Sequence, residues 1–193
     1  MRWINDLARL LMFLCISSFA FTSPVAAADV ERLNEARMII QRSILHVDAV
    51  IGRVYGGTSH RCDQITEYSQ CIRQGCLWTE GFCNYGQQSF EMANDGADVN
   101  ENDYAAAFVL TLIKFKLRVS DANLSEATNA AIAGDFNRSQ NLTRSACEFL
   151  AAARFKAEAG KLTLLIPGPQ TLTVQDFDVI VRDASEAQAL IGC

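Results

Sequence analysis

The side chains with the most chemistry available to them are cysteines. Cys62, Cys71, Cys76 and Cys83 fall within 22 residues, separated by eight, four and six residues, while Cys147 and Cys193 stand far down the chain. A thiol can serve as nucleophile, metal ligand or half of a disulfide. Nucleophilic catalysis needs a base beside the sulfur, and outside the cluster's own neighbour His60 the chain holds one other histidine, His46. Both read as partly exposed surface histidines. Zinc sites favour two short Cys-x2-4-Cys knuckles, and only the Cys71 to Cys76 gap comes near that spacing. Structural disulfides are therefore the expectation for all six cysteines. Gly75 and Gly81 supply flexible backbone, and Trp78 and Phe82 an apolar lining. A stretch this short cannot bury a core of its own, and cross-links contributing roughly 2–4 kcal/mol each can replace the missing burial.

The compartment decides whether thiols oxidise, and the first residues report it. Arg2 and Arg9 precede an apolar run from Leu10 to Phe21, followed by Ser-Pro-Val-Ala-Ala-Ala ending at Ala28, the three-part plan of a secretory signal peptide over residues 1–28. Cys15 lies inside that apolar run behind the bulky Leu14, so lipidation is not expected. The run is shorter than the roughly 20 residues a bilayer-spanning helix needs, and no transmembrane segment is expected after cleavage. Removal of Arg2, Arg9, Asp6 and Cys15 leaves residues 29–193 with six cysteines, 15 basic and 21 acidic side chains and a net charge of −6. The acidic balance disfavours nucleic acid and anionic membranes as partners. An even cysteine count in an oxidising compartment favours three disulfides.

The elements that must position these cysteines read as helices. From Asp29 to Tyr55 the apolar residues Leu33, Ala36, Ile40, Leu45, Val47, Ile51 and Val54 recur at helical spacing, and Tyr55-Gly-Gly-Thr ends the run. The Cys62–Cys83 segment follows as an insertion. Gln87 to Asp103 is acidic; Asp98, Asn100 and Asn102 match the start of a calcium loop, but Asp103 stands where glycine is needed and Val109 where the bidentate glutamate belongs. A solvated connection is expected there, with no metal. Tyr104 to Val119 fits two periods, a helix with Thr111, Lys114 and Arg118 on its polar face or a strand alternating Ile113, Phe115, Leu117 and Val119. The alanines at 105–107 and the acidic lead-in favour helix.

Asn123-Leu-Ser-Glu126 reads as the cap of a short helix running to about Ala133, and Asn141 as the cap of another that carries Leu142, Ala146, Leu150, Ala153 and Ala157 to Gly160. Lys161 to Val174, broken by Pro167-Gly168-Pro169, reads as a hairpin or tight corner. Thr173-Val-Gln-Asp176 caps a last helix with Phe177, Ile180, Val181 and Leu190 on its apolar side. Cys147 and Cys193, the pair left over, would clamp that helix onto its neighbour; within the cluster the crossed pairing Cys62 to Cys76 and Cys71 to Cys83 is preferred, though four cysteines allow three pairings. The fold expected is a mainly α bundle of four or five helices, a single domain over 29–193 with a disulfide-stapled Cys-rich insertion at 62–83.

Catalytic patterns are sparse: the chain has no Gly-x-Ser-x-Gly, no His-Glu-x-x-His and no phosphate-binding glycine loop. The acid pairs Asp176 with Asp178 and Glu31 with Glu35 sit where solvated helix faces place them. Asn123, Asn137 and Asn141 each open a glycosylation triplet, meaningful only in a eukaryotic secretory pathway. The run Cys71-Ile-Arg-Gln-Gly-Cys76-Leu-Trp78-Thr-Glu-Gly-Phe-Cys83 resembles the cysteine and tryptophan rhythm of small extracellular modules of the plexin-semaphorin-integrin type. Those modules carry more cysteines, and a cysteine where Thr79 stands. The resemblance implies a rigid spacer or docking knob. The function expected is non-enzymatic binding or scaffolding outside the cytoplasm, with a protein as partner and without a cofactor. The alternative is a small exported hydrolase or metal-dependent enzyme.

Overall fold

The computed structural model describes residues 24–54, 62–74, 76–79, 81–84, 101–165 and 171–193. Four long helices carry the fold: α1 (Pro24–Val54), α3 (Glu101–Ile132), α4 (Phe136–Gly160) and α5 (Val174–Ile191). Between α1 and α3 lie a 3-10 turn (Cys62–Gln64), the short helix α2 (Tyr68–Arg73) and two strands, β1 (Leu77–Thr79) and β2 (Phe82–Asn84). This is a helical bundle with a disulfide-stapled loop insertion. The point expected for leader cleavage, after Ala28, falls within the first turns of α1, which begins at Pro24.

Side-chain pairs fix the order of the helices. Arg37 on α1 meets Asp121 on α3, and farther along α1 Asp48 meets Lys114, so the two helices run antiparallel. Arg42 pairs with Asp183 and Arg53 with Asp176 on α5, again antiparallel to α1. Arg138 pairs with Glu126 across the α3–α4 turn, and Lys161, just past α4, with Asp178 on α5. The result is an up-down-up-down bundle. Its core is aliphatic, with Ile40, Ile51, Leu110, Ile113, Leu117, Leu124, Leu150, Phe177 and Ile180 fully buried. Buried alanines at 146, 153 and 157 on α4 let its neighbours approach closely.

Tyr104 to Val119 is helical and lies within α3, so the strand alternation is not realised. α3 also runs through Asn123 without a break, contrary to the separate helix expected there. The Asn123 side chain does not cap: its Nδ2 donates to Ser145 Oγ on α4 at 3.0 Å. Leu124, Ala127 and Thr128 continue the buried face of α3, so no turn has reason to form before Gly134, which adopts φ 79° and ends the run. α4 accordingly opens at Asp135, whose carboxylate accepts from the Arg138 N–H at 3.1 Å, and not at Asn141, an exposed residue one turn inside.

Three further expectations are corrected by packing. Leu45, counted on the apolar face of α1, is exposed, while Ile39 and Val50 are buried in its stead. Thr111 and Lys114, assigned to the polar face of α3, are both 2 % exposed, because α1 covers one side of α3 and α4 the other. Thr111 donates its hydroxyl to the Ala107 carbonyl, and Lys114 pairs with Asp48. Asp176 is also buried and not on a solvated face. Among the described residues, the stretch expected to form a hairpin contributes a 3-10 helix, Lys161–Leu165, and no strand; Pro167, Gly168 and Pro169 lie outside them, as do His60 and the acidic stretch before Glu101.

Candidate functional site

At the end of the bundle where α1 gives way to α3, the insertion is built around two interleaved disulfides. Cys62 is bonded to Cys76 and Cys71 to Cys83, with Cα separations of 5.8 and 5.6 Å, and all four cysteines are buried. β1 and β2 pair antiparallel with Trp78 opposite Cys83, and Gly81 at φ 86° turns the chain between them. The rings are closed at sequence separations of 14 and 12. Trp78 packs partly against the core, and Tyr68 of α2 meets it edge-on with centroids 5.7 Å apart and planes at 86°. Tyr68 is nevertheless 61 % exposed and Ile72, one turn along α2, 50 %. An aromatic and an aliphatic side chain are thus presented outward on a covalently closed frame.

At the opposite end a third disulfide joins Cys147 of α4 to Cys193, just beyond α5, at a Cα separation of 5.8 Å. Gly192, at φ 76°, turns the chain back so that Cys193 reaches α4, a left-handed conformation that favours glycine. Gln188 Nε2 donates to the Cys147 carbonyl at 3.3 Å and reinforces the clamp. Beside it opens a cleft of about 560 Å³ between the start of α1, the first turns of α4 and the end of α5. Arg32, Ser139, Thr143 and Arg144 supply its polar wall, and Leu33 and Ile191 aliphatic surface. No signal in the sequence marked this cleft: its walls come from three helices and are assembled only by packing.

No family model matches the chain, and comparison with curated proteins and with solved structures returned no significant similarity.

Between the two ends, α1 is tied to its neighbours by charge. Asp183, fully buried, accepts from Arg42 at 3.0 and 3.3 Å and from Arg182 at 2.9 and 3.1 Å. Asp176 accepts from the Thr173 N–H at 2.9 Å, from the Thr173 hydroxyl at 3.0 Å and from Arg53. Burial pushes the Asp176 carboxyl upward, but the Thr173 N–H and the Arg53 guanidinium outweigh it and hold the group below the ordinary carboxylate value. His46, half-buried on α1, has Nε2 3.0 Å from the Asp176 carbonyl, a tie between helices. Among the described residues no three His, Cys, Asp or Glu side chains converge as a metal would require. Of the glycosylation triplets, Asn137 and Asn141 are exposed on α4, whereas the amide of Asn123 is engaged with Ser145.

Proposed function

We propose that this chain is an exported binding or scaffolding protein of the cell envelope or extracellular space, released from its leader after Ala28, with a protein as its partner. Three intramolecular disulfides fit an oxidising compartment. No helix among the described residues is long and apolar enough to cross a membrane. The observation that carries the reading is the outward presentation of Tyr68 and Ile72 on the double-disulfide frame. Tyrosine anchors held rigid before binding lose little conformational freedom on association, which is the economy that protein interfaces exploit. The deciding experiment is affinity capture from the native envelope or secreted fraction with the wild type and with a Tyr68→Ser/Ile72→Ser variant. A partner recovered by the wild type and lost by the variant supports the reading. Equal recovery by both, or a cytoplasmic protein with free thiols, overturns it.

A further inference from the structure

We propose that the cleft beside the Cys147–Cys193 disulfide binds a small monocarboxylate with an aliphatic body. At about 560 Å³ it lies within the roughly 300–1,000 Å³ typical of small-molecule sites. Two guanidiniums reach it from different helices, Arg32 from α1 and Arg144 from α4. On those same helices Arg37, Arg42, Arg53 and Arg138 hold a carboxylate of this chain, while Arg154, away from the cleft, pairs with no described residue. Arg32 and Arg144 make no ion pair with any described residue, so the two cations that face the cleft keep their fork of donors for a ligand.

A second observation points the same way. Ser139 lines the cleft and is only 8 % exposed, yet its hydroxyl has no hydrogen-bond partner among the described residues. Its neighbour Thr143 differs, giving its hydroxyl to the Ser139 carbonyl at 2.9 Å. The Ser139 hydroxyl is therefore free to donate to a ligand oxygen in the cleft. Leu33, Leu190 and Ile191 provide aliphatic surface for the remainder of the molecule. Among the lining side chains Asp29 offsets one of the two guanidiniums and leaves one net positive charge, which a single carboxylate neutralises. The disulfide forms part of the wall and holds the end of α5 at a fixed distance from α4.

Octanoate is the probe, titrated calorimetrically into the oxidised mature protein, with octylammonium and inorganic phosphate as controls. The expected result is one-to-one binding of octanoate, at least tenfold tighter than either control. Arg32→Gln/Arg144→Gln should weaken it at least tenfold while the helical circular dichroism is unchanged, because both arginines are exposed and unpaired. Ser139→Ala should weaken it several-fold, and octanoate should shift the amide resonances of Leu33, Thr143 and Ile191. No saturable octanoate binding, equal binding of octylammonium, tighter binding of phosphate, or an unchanged affinity in the double arginine variant would each overturn the proposal. None of these outcomes bears on the Tyr68 and Ile72 surface at the other end of the bundle.

Discussion

The two ends of the bundle are both closed by disulfides, but the bonds do different work. At the insertion end, two short rings at separations of 14 and 12 enclose a segment too short to bury a core of its own, and the cross-links stand in for one. At the cleft end, a single bond at a separation of 46 joins two helices that already pack directly on each other. In the chain-entropy account a ring of that size stabilises by roughly 4 kcal/mol and each short ring by about 3 kcal/mol. The difference teaches that ring size governs how much stability a bond adds, whereas location governs what is lost when it opens. Losing the long ring loosens helix packing and the cleft; losing the short rings releases a surface and leaves the bundle in place.

The largest effect expected is therefore from replacing both Cys147 and Cys193 by alanine. Urea unfolding should show a loss of roughly 4 kcal/mol, with the octanoate site weakened as well. Replacing Cys71 and Cys83 should lower stability by about 3 kcal/mol at most while the far-ultraviolet helical signal persists, since α1, α3, α4 and α5 pack on one another directly. A collapse of helicity in that second variant would break the comparison, showing that the insertion organises the bundle and is not an appendage to it.

Charge ties between the ends come next. Asp48→Ala takes a carboxylate from the Lys114 ammonium, which is almost wholly enclosed, and should destabilise by about 3 kcal/mol, measured by thermal or urea unfolding. Asp48→Asn should recover part of that loss. Gly160→Ala probes packing at the insertion end, where a Cβ would lie 2.5 Å from Cε1 of the fully buried Phe177 ring. Overpacking of this kind costs about 1–3 kcal/mol, and a neutral outcome would mean that the ring moves freely.

The smallest expected effect is of pH. The folded-state pKa of Asp176 is depressed, so its contribution is fully present above the unfolded value of about 3.9 and fades as pH falls through the lower folded value. Stability attributable to Asp176 should be flat from pH 7 to about 5 and decline on further acidification. In Asp176→Asn, the acid-induced loss of stability should be smaller than in wild type. An identical acid profile would remove Asp176 from the ties that hold α1 to α5.

How much was legible follows from the range over which each signal acts. The caps at Thr173, the stop at Gly134, the 3.6-residue period of α1 and the alanine face of α4 are local, since each depends on residues within about a turn of one another. Asn123 and Lys114 show where local signals stop. Asn123 carries a correct cap pattern, but Ser145 on another helix offers its amide a partner, and the buried run from Leu124 to Thr128 keeps the helix going. Lys114 is spaced as a surface residue until Asp48 is brought against it from α1, and burial then becomes affordable.

Composition and spacing by themselves determined that this chain is mainly helical and rich in cysteines suited to an oxidising compartment, because helix periodicity and thiol count are written along the chain. Only the tertiary structure decided which cysteines meet, which polar residues are enclosed and where a cleft opens. Those properties depend on distances between residues as far apart as Arg32, Arg144 and Ile191, and such distances exist only once the helices have packed.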